Sequence, residues 1–115
     1  MDPESIQDLF QELGPVRVRR MFGGHGIYAG DQIFGIEIGG EIYLKADGAT
    51  RPAFEAAGSR PFTYEKGEGR SVVMSYWLMP SEAADDPSEA ARWARLALDA
   101  GRRAATAKTS RKRGR

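Results

Sequence analysis

A single histidine, His25, stands among glycines in the run Arg20-Met21-Phe22-Gly23-Gly24-His25-Gly26-Ile27-Tyr28. An imidazole acts as a general base when a carboxylate orients it, and Asp31 or Asp47 would have to supply that group. One histidine and no cysteine leave no histidine pair or thiolate set for zinc and no ligand triad for iron. No G-x-S-x-G elbow brings a serine nucleophile. His25 is therefore expected as an exposed loop residue, and no catalytic residue, metal or cofactor is expected. Gly24 to Ala29 matches G-x-G-x-x-A, but a dinucleotide cradle needs those glycines to open a helix, and a β-rich segment follows here. The glycines are expected instead to supply positive φ or close backbone approach at a sheet bend.

Two cations stand out against their surroundings. Arg20 falls on the apolar parity of Val16 and Val18, where a charge must pair with a carboxylate or face a partner. An ion pair with Glu37 or Asp47 is the expectation. Lys45, in Tyr43-Leu44-Lys45, either serves a site or covers a strand edge with charge. Tyr28, Phe34, Tyr43, Phe62, Tyr64, Tyr76 and Trp77 would form a base-stacking platform if several shared an exposed face with basic neighbours. Strand alternation turns about half of them inward, so most are expected in the core. Tyr76 and Trp77 are consecutive and must point to opposite faces.

The net charge of +1 conceals a division: residues 1–101 carry −6 and residues 102–115 carry +7. The body repels a phosphate backbone overall, so nucleic-acid attraction falls to the tail or to a local patch. The tail cations Lys108, Arg111, Lys112, Arg113 and Arg115 suit salt-dependent phosphate contact but not base readout. From Ala104 onward there is no large apolar residue to offset the entropy of ordering, which predicts a frayed helix end and a disordered basic tail over 104–115.

The elements that must position these residues follow from periodicity. Asp2-Pro3-Glu4 starts a helix carrying Ile6, Leu9, Phe10 and Leu13 on one face, and Gly14-Pro15 ends it. Val16 to Phe22 alternates as a strand, Gly23 to Gly26 bends the chain before Ile27 to Ala29, and Gln32 to Ile38 returns after Gly30-Asp31. Gly39-Gly40 turns into Glu41 to Ala46, and such short connections demand antiparallel neighbours. Thr50 to Ala57 reads as a helix closed by Gly58. Phe62 to Tyr64 and Ser71 to Met79 flank a polar loop at 65–70, and Pro80 stops the last strand. Asp86-Pro87-Ser88-Glu89 opens a final helix with Ala90, Trp93, Leu96, Ala97 and Ala100 on one stripe.

The order helix, three strands, helix, two strands, helix predicts an α+β domain over 1–103 with a mainly antiparallel sheet. A chain of 115 residues with 41% hydrophobic content buries one modest core. No apolar run approaches the roughly 18 residues of a membrane span. A cytoplasmic protein without membrane or metal association is expected.

Arg20-Met21-Phe22-Gly23-Gly24, Gly26, Tyr28, Ile42 to Asp47, Phe54, Gly58, Pro61-Phe62, Tyr64, Ser75-Tyr76, Pro80 and Trp93 stand in an order and spacing that resembles the TfoX N-terminal domain of the Sxy/TfoX bacterial competence regulators. The resemblance runs from about Val16 to Gly101. It implies the same element order, of a type shared with secretion-chaperone-like folds, and a non-enzymatic role in transcriptional control of DNA uptake. Full-length members add a helical second domain, which is not read in these residues. The resemblance marks Arg20 to Gly24, Gly26, Tyr28 and Lys45 as signature positions, and these together with His25 are the candidates for a partner contact or a structural role. A transcription-machinery protein and a second copy of the chain are the expected partners. The alternatives are DNA contact through the tail, and an enzyme or small-ligand site near Arg20 and His25.

Overall fold

Asp2 opens the chain's first helix by accepting the Ser5 N–H on Oδ1 at 2.8 Å, with Pro3 and Glu4 suited to the first turn. That helix, α1, is short, Pro3–Leu9, and buries Ile6 and Leu9. In this computed structural model the described backbone covers residues 1–21, 23–66 and 70–113, and the described side chains exclude 64–66, 70–74 and 108–113. Phe22, the centre of the polar loop at 67–69, the side chain of Tyr64, the tail cations Lys108, Arg111, Lys112 and Arg113 as side chains, and Arg115 lie outside it.

Six strands follow, in a single antiparallel sheet: β1 Arg17–Met21, β2 Gly24–Ala29, β3 Gln32–Ile38, β4 Glu41–Lys45, β5 Pro61–Lys66 and β6 Arg70–Leu78. Their spatial order is β1-β2-β3-β4-β6-β5. The α+β class and antiparallel sheet agree with the periodicity, but the strand count before the second helix is four rather than three. Residues 16–29 form two paired strands, with Met21 opposite Gly24, instead of one strand with a bend. Gly24, His25 and Gly26 are thus strand residues, and only residues 22–23 connect the pair, Gly23 taking φ 75°. The β5 and β6 ladder likewise extends to Lys66 opposite Arg70, into the segment expected as loop.

Helix α2, Arg51–Ala56, crosses between β4 and β5, and α3, Pro87–Arg113, follows a 3₁₀ turn at Ser81–Ala83. Asp86 Oδ1 caps α3 by accepting the N–H groups of Ser88 and Glu89. The helix continues through residues 104–113, where composition predicts disorder. Alanine, lysine and arginine propagate an established helix at little cost even where they bury nothing.

The core lies between the sheet and the three helices. Phe10 after α1 meets Phe34 of β3 edge-on at 5.3 Å, and Phe54 of α2 packs between Trp77 of β6 and Trp93 of α3. Alanines 90, 94 and 97 let α3 lie close on β3 and β4. Trp77 is buried with this set, while its neighbour Tyr76 faces the other side of the sheet opposite Lys45. Among the described residues no helix is long and apolar enough to cross a membrane.

Candidate functional site

The signature glycines hold two strands at close range. A Cβ on Gly24 would collide with the backbone carbonyl of Glu37, so β2 can lie against β3 here only without a side chain. The same approach sets His25 opposite Glu37 in register, and the His25 Nδ1–H donates to Glu37 Oε1 at 2.6 Å. Glu37 is 3% exposed and His25 has 17% of its side chain exposed. The second carboxylate oxygen accepts the Gly40 N–H at 2.8 Å and lies 3.7 Å from the Met1 amino group. Burial opposes the charge on Glu37, but the His25 and Gly40 hydrogen bonds and the nearby ammonium outweigh it, holding the carboxyl below its usual value. His25 is therefore a half-buried strand residue rather than an exposed loop residue, and its carboxylate is Glu37 rather than Asp31 or Asp47.

Arg20 sits across from His25 on β1 and is exposed. The ion pair expected for it is absent among the described residues, because Glu37 is taken by His25 and Asp47 by Arg103. A shallow cavity of about 550 Å³ is lined by Arg20, His25, Val18 and the first three residues of the chain. The residues of the enzyme alternative are thus brought together, an oriented imidazole beside a guanidinium, but the lining includes no serine or threonine to serve as nucleophile.

A second polar cluster forms where β4 hands over to α2. Asp47 accepts the N–H groups of Ala49 and Thr50 at 3.1 and 3.2 Å, and its own N–H donates to the Thr50 hydroxyl oxygen at 2.9 Å. These bonds close an Asx-type turn over residues 47–50 that leads into α2. Arg103 of α3 closes on the same carboxylate with two hydrogen bonds, Nε to Oδ2 at 2.7 Å and Nη2 to Oδ1 at 3.0 Å. The Arg103 hydrogen bond dominates a set of interactions that lowers the Asp47 pKa to about 2. Lys45 reaches the same end of the sheet with its Nζ 5.3 Å from the centre of the Tyr76 ring. Among the described residues no group of histidine, aspartate and glutamate is arranged to hold a metal ion.

On the sheet face away from the helices, alternation and register gather Tyr28, Ile36, Tyr43 and Tyr76. Tyr43 meets Phe62 at 4.8 Å, and Arg17 lies 6.0 Å from the Tyr28 ring centre. Tyr43 is buried and Tyr28 and Tyr76 are only partly exposed, so the rings do not present the open faces that base stacking uses. Burial pushes the Tyr76 phenol above its usual value, and the nearby Tyr28 adds to the effect.

Sequence reasoning missed the partners more than the residues. Glu37 was one of the two expected partners for Arg20, but it bonds His25, on a strand whose bulge pairs Ile27 with Gly35 and Tyr28 with Ile33 and leaves Phe34 as the extra residue. Arg103 stood at the edge of the presumed tail, and Arg51 had no distinguishing neighbour; neither carried a local signal.

Three helices on one face of a six-stranded antiparallel sheet, with a glycine-shaped first hairpin and a histidine held on a buried carboxylate, define a small α+β domain whose polar groups mainly brace the fold. The chain belongs to the TfoX N-terminal domain family, whose model matches residues 8–101. A search among curated proteins finds no significant match.

Proposed function

We propose that this chain is a non-enzymatic regulatory domain that works by protein–protein contact in transcription or competence-related control. The observation that carries the reading is the distribution of the helices: all three pack on one face, leaving Tyr28, Tyr76 and their neighbours on a face that no helix covers among the described residues. Aromatic side chains give large contact area at low entropic cost, and the arginines of β1 supply a polar rim. The partner is a protein of the transcription machinery, with self-association through the same face. Affinity capture from native cytosol, together with sedimentation of the purified chain, tests this. A strictly monomeric protein that captures no transcription component would sink it, and a Tyr28→Ser/Tyr76→Ser variant that folds but loses the partner would support it.

A second reading, nucleic-acid contact through the basic C-terminal segment, is favoured by the continuation of α3 to Arg113, which puts Arg102, Lys108, Arg111, Lys112 and Arg113 on one element. If removing the charges of residues 108–115 leaves duplex-DNA affinity and its salt slope unchanged, this reading fails.

A further inference from the structure

The cleft between the β4–α2 junction and the flank of α3 holds about 480 Å³ and draws cations from three elements: Lys45 from β4, Arg51 from α2 and Arg103 from α3. We propose that this cleft binds a phosphate group.

The charge balance is the first reason. Asp47 is the one carboxylate in the lining, and with three cations it leaves a local charge of +2 within a body that is otherwise net acidic. Both oxygens of Asp47 are engaged, by Arg103 and by the N–H groups of Ala49 and Thr50. Among the described residues neither Lys45 nor Arg51 has an ion-pair partner. Like charges gathered in one concavity without counter-charge repel one another, and an anion relieves that repulsion.

Geometry narrows the anion. The Asp47 bonds use Nε and Nη2 of Arg103 and leave Nη1 for another acceptor. The exposed Ser75 adds a hydroxyl from β6 to the lining that Lys45 and Arg51 share. Donors drawn from four elements suit an anion with three outward oxygens better than a flat carboxylate. The floor is apolar, formed by Trp77, Ala46 and Ala100, and weakens the screening of those charges by water. The volume is in the usual range for small-molecule sites, so an organic group attached to the phosphate is accommodated. That group is either a small phosphate ester or the sugar of a nucleic-acid strand. The inference goes beyond the protein-contact reading and stands or falls without it.

The test is titration of the full chain by calorimetry and amide NMR with inorganic phosphate, pyrophosphate and a 12-nucleotide single strand, each against wild type and the Lys45→Gln/Arg51→Gln variant. Both residues leave the Asp47–Arg103 pair untouched, and an unchanged thermal melt confirms that the variant folds. The expected result is saturable binding with amide shifts at residues 45–51 and 100–104, weakened about tenfold or more in the variant, as loss of charged hydrogen bonds predicts. Saturation by phosphate or pyrophosphate without strand binding identifies a small phosphate ester as the source. Strand binding that loses affinity and salt slope in the variant identifies a nucleic-acid backbone. Three results would overturn the site: no saturable binding of any probe, equal affinity in the variant, or strand affinity that vanishes only when the cations of 108–115 are replaced by glutamine.

Discussion

Asp47 and Arg103, 56 residues apart in sequence, meet through two hydrogen bonds of 2.7 and 3.0 Å and tie the entrance of α2 to the flank of α3. The carboxylate also accepts the Ala49 and Thr50 N–H groups of the turn that leads into α2, so one side chain organises both the local turn and the tertiary contact.

Both partners are substantially exposed, and an exposed pair contributes modestly. Arg103→Gln is expected to lower Tm by about 3 °C, against about 1 °C or less for Arg102→Gln, whose partner Asp99 lies within the same helix. The folded Asp47 titrates at about 2, below its ordinary 3.8, so its contribution is present above pH 4 and fades as pH falls toward 2. Melts of wild type and Arg103→Gln at pH 6, 4 and 2.5 should therefore converge in acid. A gap that stays constant to pH 2 contradicts the assignment.

Glu37 is the more consequential carboxylate, because it is buried and its replacement strands the His25 N–H and the Gly40 N–H together. Glu37→Ala should cost about 2 kcal/mol in urea unfolding at pH 7. The folded carboxyl lies below its ordinary value of 4.5, so the stabilisation is present above that pH and lost as the solution is acidified through the folded pKa. Equal stability of Glu37→Ala and wild type at pH 7 would remove the pair from the fold's essential contacts.

Gly24 and Gly101 separate two kinds of close approach. At Gly24 an added methyl meets the rigid Glu37 backbone, whereas at Gly101 it meets the end of the Gln32 side chain, which can swing away. Gly24→Ala should destabilise by about 2 kcal/mol or more. Gly101→Ala should stay within about 1 kcal/mol of wild type, since alanine's better helix propensity offsets the displaced glutamine. Chemical denaturation of the two variants side by side checks the contrast.

Phe54 is fully buried and is the one buried residue of the six-residue helix α2. Phe54→Ala should cost about 3–5 kcal/mol, because the cavity opens between Trp77 and Trp93. A change in tryptophan fluorescence should accompany the loss of stability, and an unperturbed spectrum in the folded variant would contradict this packing.

The elements were legible where the chain speaks locally. Asp2 and Asp86 cap the helices that their spacing predicts, and consecutive Tyr76 and Trp77 divide between the two faces of the sheet. The first hairpin was less so, since three consecutive strand residues, Gly24 to Gly26, resemble a bend when only composition is read. Composition past Ala104 predicts a frayed helix end and then a disordered tail, and α3 runs to Arg113 from a segment anchored by Trp93 and Leu98.

Local propensity and periodicity, which act over a few residues, determined by themselves the α+β class and the antiparallel neighbours, while the order of residues from Arg20 to Asp47 carried the resemblance to the family. Only the tertiary structure decided who pairs with whom: Glu37 with His25 rather than Arg20, and Asp47 with Arg103. The physical reason is that an ion pair depends on distances of a few ångströms between chain segments far apart in sequence. A one-residue bulge in β3 or the landing point of α3 sets those distances, and neither is encoded in the spacing of the residues that meet.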